Sequence, residues 1–197
     1  MASNVEIKAH LPEREAVEAI AARLEDGGVE ALEQTDVYFR VPTGRLKLRI
    51  FAAVSPSAAS ASAVGVTATA APEAELIQYH RPDARDPEVS TYQRVAVPDP
   101  SALRAALSAA LGERVVVHKQ RRVYLVGRTR IHIDRVTGLG DFLELEVVLR
   151  ENEDQSVGEA EARALMQTLG VRSVHLIEAG YADLLEASAD DACTTLT

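Results

Sequence analysis

Basic side chains recur at every second position in one short stretch of the chain. Arg45, Lys47 and Arg49 alternate there with apolar residues, over residues 44–51. Successive side chains of a β-strand point to opposite faces, so this spacing places the three cations on one face. Arginine offers forked donors that match phosphate oxygens, and lysine offers a compact charge. The stretch therefore predicts a strand with one face suited to a phosphate-rich molecule.

Other stretches show the same alternation, and some of their charged faces carry carboxylates. Simple exposure to water is the usual explanation of such faces, and in a chain of net charge −9 it predicts an acidic excess. The predicted charged faces instead concentrate basic charge, with eight cations and four carboxylates. The cations are Lys8, Arg45, Lys47, Arg49, Arg81, Lys119, Arg121 and Arg130, and the carboxylates are Glu6, Asp134, Glu144 and Glu146.

The elements that must position these residues are many strands and a few helices. Apolar spacing and glycine stops predict four helices, over residues 12–26, 101–111, 156–169 and 176–187. Eight stretches have strand character, namely 3–11, 30–41, 44–51, 74–81, 89–97, 114–126, 129–136 and 141–150. Short turns join many of them, as at Gly138-Leu139-Gly140. The pattern predicts an α+β fold, an eight-stranded antiparallel β-barrel with helices packed outside.

A closed barrel turns one face of every strand toward its lumen. If the apolar faces pack beneath the helices, the charged faces line the lumen, where the cations repel one another unless a polyanion neutralises them. Paired carboxylates with open water positions are the ligands that Mg²⁺ or Mn²⁺ takes beside a phosphate group. The charge pattern therefore predicts a metal-dependent site for a chain of phosphates.

Composition limits the other classes of function. The 197 residues bound the chain to one domain, or one domain with an appendage, and the acidic balance argues against binding to nucleic acid or an anionic membrane. A single cysteine, Cys193, excludes an intramolecular disulfide.

No membrane-spanning run or signal peptide is recognisable in the sequence, so we expect a cytoplasmic protein. An Ala- and Ser-rich stretch over 52–72 predicts a flexible loop, and residues 187–197 predict a tail.

The charged motifs also resemble those of a known family. Asn4-Val5-Glu6-Ile7-Lys8 is similar to the Glu-x-Glu-x-Lys signature that opens CYTH domains, the triphosphate tunnel metalloenzymes. The resemblance extends over about residues 3–186, is closest to the class IV adenylate cyclase-like branch, and includes the thiamine triphosphatase-like members. It implies that 3–186 form a CYTH domain, an eight-stranded antiparallel tunnel. The further motifs are, in order, Gln34–Phe39, Gly44–Arg49, Arg81–Asp83, Arg130–Val136 and Gly138–Glu146.

The resemblance also implies roles for individual residues. It assigns catalysis to Lys8 and Glu146. One departure from the family signature stands at Asn4, whose amide offers an oxygen to a metal but no negative charge. The implied triphosphate-binding residues are Lys8, Arg45, Lys47, Arg49, Arg81, Lys119, Arg121 and Arg130, and the implied metal ligands are Glu6, Asp134, Glu144 and Glu146.

We therefore expect a triphosphatase, a phosphohydrolase that uses Mg²⁺ or Mn²⁺ to cleave an inorganic, nucleoside or thiamine triphosphate. Two alternatives use the same tunnel. A class IV-type adenylate cyclase would make cyclic AMP and pyrophosphate from ATP, and a non-catalytic module would only bind polyphosphate or nucleotide, a reading that Asn4 favours. The expected partner is a small molecule that contains a triphosphate, and formation of a homodimer stays open.

Overall fold

The computed structural model describes the backbone of residues 3–52, 73–80 and 88–194, and the side chains of 4–52, 73–80 and 92–189. Its strands are β1 (Ser3–His10), β2 (Val29–Phe39), β3 (Arg45–Ala52), β4 (Ala74–His80), β5 (Glu88–Ala96), β6 (Glu113–Val126), β7 (Thr129–Val136) and β8 (Gly140–Val148). Its α-helices are α1 (Arg14–Leu24), α2 (Pro100–Leu111), α3 (Gln155–Thr168) and α4 (Tyr181–Thr194). No helix among these described residues has the length and apolar character that crossing a membrane requires.

The eight strands close into a barrel in the order β1-β5-β4-β3-β2-β6-β7-β8. Every neighbouring pair is antiparallel, including the pairs that are distant in sequence. β1 completes the closure because it pairs with β5 on one side and with β8 on the other. The predicted α+β fold, an eight-stranded antiparallel barrel with external helices, is confirmed.

The outer face of the barrel is apolar and packs beneath the helices. On β8, Leu143 and Leu145 are fully buried in a cluster that also contains side chains of α1 and α3. On β3, Leu48 is fully buried beside Leu103 and Leu107 of α2. Because side chains alternate along a strand, burial of these residues outside the sheet turns the charged residues between them toward the lumen.

Helix α4 closes one end of the lumen. The inward side chains of Tyr38, Val117 and Phe142 form an apolar cluster with Tyr181 and Ala182 at the start of α4. The rings of Phe142 and Tyr181 meet edge to face with their centroids 5.0 Å apart. The lumen is therefore blind at this end.

The observed start of α4 differs from the predicted one. The sequence predicts a helix from residue 176, but Leu176 forms a β-bridge with Ala9, and the N–H of Ile177 donates to the carbonyl of Lys8 at 3.0 Å. These bonds to a strand distant in sequence delay the helix to Tyr181. The helix also continues to Thr194, where the sequence suggested a tail. The other helix and strand bounds agree with the predicted ones to within about two residues.

Two predictions concern residues outside the described part of the chain. The first is the flexible loop over 52–72, of which the structure describes only Ala52, and the second is Arg81. On either side of the first segment, β3 and β4 are already paired, with Ile50 opposite Ala74 and the N–H of Phe51 donating to the carbonyl of Glu73 at 2.9 Å.

This pairing generates a prediction about residues 53–72. Deleting them and joining Ala52 to Glu73 through a short Gly-containing turn should leave the melting temperature within a few degrees of the wild-type value and the affinity for tripolyphosphate unchanged. The two strand ends already meet, and loop length contributes little to the free energy of folding. Thermal unfolding and calorimetric titration measure the two quantities.

A Gly/Ser segment of the original length serves as the control for composition. If the deletion and the Gly/Ser variant both lose tripolyphosphate binding, the segment itself takes part in the site and the prediction is wrong.

Candidate functional site

A cavity of about 520 Å³ occupies the lumen and begins at Gly180 and Tyr181, at the blind end. All eight strands contribute to its lining. The structure brings seven of the eight predicted cations together on this lining, and the eighth, Arg81, lies outside the described residues. The seven are Lys8, Arg45, Lys47, Arg49, Lys119, Arg121 and Arg130.

Asp36 holds two of these cations against the lumen wall. It lies on β2 opposite Arg49 of β3, and its carboxylate is 2 % exposed. Arg49 donates to both carboxylate oxygens, each at 2.7 Å, and Nζ of Lys47 donates at 2.9 Å. Asp36 therefore compensates the charge of Arg49 and Lys47 and orients their side chains.

Asp134 does the same for two further cations. It lies on β7 opposite Arg121 of β6, is fully buried, and accepts from Arg121 at 2.6 and 2.5 Å. Nζ of Lys119 lies 3.5 Å from it, and the hydroxyl of Tyr181 donates to it at 3.0 Å. Cations and a phenol occupy both oxygens, so Asp134 orients Arg121 and Lys119, and its role as a metal ligand stays a prediction.

The other predicted metal ligands form an acidic wall on β1 and β8, opposite β2 and β3 in the barrel order. Glu6 lies directly opposite Glu146, and Lys8 opposite Glu144. Glu144 accepts from Lys8 at 2.8 Å and also binds Arg121. Glu6, Glu144 and Glu146 all line the cavity, so the structure brings these three predicted ligands to one side of it.

Asn4 extends this wall beyond Glu6. Its side chain is 1 % exposed, and its amide nitrogen donates to Glu146, whose other oxygen accepts from Arg130 at 3.1 Å. The amide oxygen of Asn4 has no hydrogen-bond partner among the described residues. The residue that departs from the family signature therefore contacts a predicted metal ligand directly.

Helix α4 contributes to the blind end of the site. Arg45 donates to Asp183 of α4 at 3.0 Å, and Asp183 also binds Arg114. The ammonium of Lys8 lies 3.9 Å from the centroid of the Tyr181 ring, which is cation–π geometry. These contacts orient Arg45 and Lys8, the cations that contact α4 at the blind end.

The paired charges shift several pKa values. Burial and the neighbouring charge of Arg49 lower the pKa of Lys47 to about 7. Burial and the charge of Arg121 lower the pKa of Lys119 to about 8. Burial alone would raise the pKa of Asp36, but Arg49 and Lys47 hold it well below its ordinary value. The carboxylate is therefore ionised at neutral pH, and an incoming anion would favour the charged form of both lysines.

Two residues that contact the predicted cations, Asp36 and Tyr181, were not assigned a role from the sequence. Asp36 falls within the Gln34–Phe39 motif and shares the inward face with Tyr38, so strand alternation could have identified it. Strand alternation does place His132 on the inward face of β7, and its ring nitrogens lie 3.6 Å from Glu144 and 3.7 Å from Glu146. Tyr181 follows Gly180 at the start of a helix, and no sequence pattern signals its contact with the lumen.

Comparisons with known proteins agree with this geometry. The family model of the CYTH domain matches residues 2–181. A search of curated protein sequences found no match.

Several solved structures share the fold. The PH1012 protein from Pyrococcus horikoshii OT3 has a TM-score of 0.72 and 21% identity, covering 92% of this chain and 98% of that one. A candidate adenylate cyclase from Vibrio parahaemolyticus has a TM-score of 0.65 and 15% identity, with 93% and 97% coverage. HpAC1 from Hippeastrum, a candidate adenylyl cyclase described with a dominant triphosphatase activity, has a TM-score of 0.54 and 13% identity, with 91% of each chain covered.

The structural likenesses support the barrel, and the family match extends over nearly the whole chain. The order of the charged motifs, the closed eight-stranded barrel and its cation-lined lumen agree with that match. The chain belongs to the CYTH domain family.

Proposed function

We propose that this chain is a metal-dependent phosphohydrolase that cleaves a triphosphate bound in the lumen of the barrel. One observation carries the proposal: eight Lys and Arg side chains, the seven predicted cations and Arg94, converge on a single cavity that α4 closes at one end. A linear triphosphate carries about four negative charges, and it presents phosphate oxygens along its whole length to both walls. Forked guanidinium groups and compact ammonium groups are the partners that such oxygens take in proteins.

The cations have separate tasks along the phosphate chain. Arg49 and Arg121, each oriented by a buried carboxylate, present guanidinium groups from opposite sides of β2. Lys47 and Lys119 add compact charges next to them. Charge that develops on the phosphoryl oxygens during transfer would be stabilised by these donors, which line the lumen from several strands.

The carboxylates on β1 and β8 have the chemistry that binds a divalent metal, although their present arrangement is not a coordination sphere. Glu6, Glu144 and Glu146 supply the oxygen ligands that Mg²⁺ and Mn²⁺ prefer, and Asn4 leaves a buried amide oxygen beside them. Within the described residues, no three His, Cys, Asp or Glu side chains are arranged to hold an ion. The three glutamates would hold it, and a bound ion would supply Lewis-acid polarisation of the phosphate oxygens.

Lys8 and Glu146 are the residues that we assign to the reaction itself. Lys8 reaches from β1 to Glu144 and can instead hold the phosphate oxygens that gain charge as the bond breaks. Glu146 lies on the same wall, toward the end of the lumen away from α4, where it can orient an attacking water. HpAC1, for which triphosphatase activity is described as dominant, supports hydrolysis as the first choice over cyclisation.

Product analysis tests the proposal. The protein is incubated with tripolyphosphate, ATP and thiamine triphosphate, each with Mg²⁺, with Mn²⁺ and with a chelator. Release of orthophosphate that depends on the metal is expected. Cyclic AMP with pyrophosphate from ATP would identify a cyclase instead, and tight binding without turnover would identify a binding module; either result overturns the proposal.

Lys47→Met tests whether the lumen cations bind the substrate. The affinity for tripolyphosphate should fall about 10- to 100-fold, because a hydrogen bond to a charged group contributes about 1.5–3 kcal/mol. The melting temperature should change little, since Arg49 still occupies both oxygens of Asp36. Arg122→Met, which removes a cation from the exposed outer face of β6, is the matched control and should leave the affinity unchanged. A large loss of stability with unchanged affinity would show that Lys47 is structural.

Asn4→Glu tests the metal site by restoring the family signature. A carboxylate there would stand beside Glu146 and Glu6 and add an anionic ligand, so the metal concentration for half-maximal turnover should fall, most clearly with Mg²⁺. The wild type should work better with Mn²⁺, which tolerates mixed ligand sets more readily. A metal titration at fixed substrate measures both effects, with Asn4→Gln as the control that keeps an amide. An unchanged or weaker metal response in Asn4→Glu would place Asn4 outside the metal site.

A further inference from the structure

The chemistry of the lumen changes along its length. Beyond Arg49 and Arg121, toward the end opposite α4, the inward positions of three strands become apolar. Phe51 follows Arg49 on β3, and Val123 and Leu125 follow Arg121 on β6. Leu32 lies on β2 opposite Arg121. All four apolar residues line the same cavity as the cations, and we call them the apolar shelf.

The apolar shelf lies apart from the packed core that the described residues form. Its four members belong to none of the three apolar clusters found among the described residues. Leu32, Phe51 and Leu125 are only partly buried, although they lie inside a barrel. Inorganic phosphate gains nothing from such a surface, whereas an apolar ligand group placed there would remove it from water, at about 25 cal/mol per Å².

Charged residues of both signs border the apolar shelf. Glu30, exposed at the end of the lumen, and Glu75 of β4 line the cavity beside it. Arg94 of β5 lies 3.9 Å from Glu75, and Arg130 of β7 lies opposite Leu125. The feature that distinguishes this part of the lumen is therefore its apolar surface and not an excess of one charge.

Gln34 lies between the two regions. It pairs with Lys119 on one side and with Phe51 on the other, so it stands where the cations give way to the apolar shelf. Its side chain is 4 % exposed and lines the cavity, and its carbonyl oxygen has no hydrogen-bond partner within the described part of the chain. A buried acceptor without a donor costs free energy, and an N–H or O–H of a ligand would satisfy it.

We propose that the substrate is an organic triphosphate in which the phosphate chain carries a ring, and that inorganic tripolyphosphate is the poorer ligand. The phosphates lie among the cations, the ring rests on the apolar shelf, and a donor next to the ring reaches Gln34. This inference rests on the proposed function, because it takes the binding of a triphosphate as given.

Calorimetric titration in the presence of a chelator tests the inference without turnover. The ligands are methyl triphosphate, ATP and thiamine triphosphate; methyl triphosphate has the charged chain of the other two but no ring. At least one of the ring-bearing ligands should bind about tenfold or more tightly than methyl triphosphate. In Phe51→Ala and Leu32→Ala, each checked for folding by its melting temperature, this preference should shrink to less than threefold. Val95→Ala, which removes an exposed apolar side chain from β5, is the control and should keep the preference.

The outcomes separate this inference from the proposed function. If methyl triphosphate binds as tightly as both ring-bearing ligands, or if neither shelf variant reduces the preference, the apolar shelf does not bind the ring and the inference is wrong, while triphosphate binding stands. If none of the three ligands binds, the proposed function itself fails. Two shelf variants are included so that poor folding of one leaves the other as the test.

Discussion

Many cations can share one narrow lumen only when anions are buried with them. Asp36 and Asp134 meet this condition, because each lies on a strand beside the arginine that it binds and each is almost completely buried. Losing one partner of a buried ion pair costs about 3–5 kcal/mol, so the two carboxylates are required as soon as the arginines are. The sequence analysis compared eight cations with four carboxylates and did not include Asp36. It therefore overestimated the repulsion between the lumen cations, because Asp36 neutralises part of their charge. The cations of the lumen are therefore paired and oriented by carboxylates of the chain itself.

The barrel provides this arrangement because each strand has two different faces. Apolar residues pack outward beneath α1, α2 and α3, and the intervening charged residues have only the lumen left. Helix α4 differs from the other three, since Tyr181 packs on inward side chains and donates to Asp134. One helix thus closes the lumen and supports an ion pair within it. A cavity with one blind end would limit how far an extended anion could enter, which a tunnel open at both ends would not do.

Most of the fold and much of the site could be predicted from the sequence, because both follow from alternation with a period of two. The eight strands, their inward faces and the convergence of Lys47, Arg49 and Arg121 need only this local rule. The remaining features depend on contacts between distant segments. The role of Asp134 depends on the register of β6 against β7, which places Arg121 opposite it. The late start of α4 depends on backbone hydrogen bonds between residues 176–177 and β1, and no local sequence pattern near Tyr181 predicts these bonds.

The pairing of cations with carboxylates also connects phosphate binding to metal binding. Glu144 is neutralised by Lys8 and Arg121, and Glu146 by Arg130 and the amide of Asn4. On the proposed function, a bound triphosphate would compete for the same cations, and every cation that turned to a phosphate would leave a carboxylate with an uncompensated charge. A divalent ion would restore neutrality there, since it attracts both the carboxylate and the phosphate. The affinity for the metal would then depend on the presence of the substrate, and the affinity for the substrate on the metal, as linkage requires.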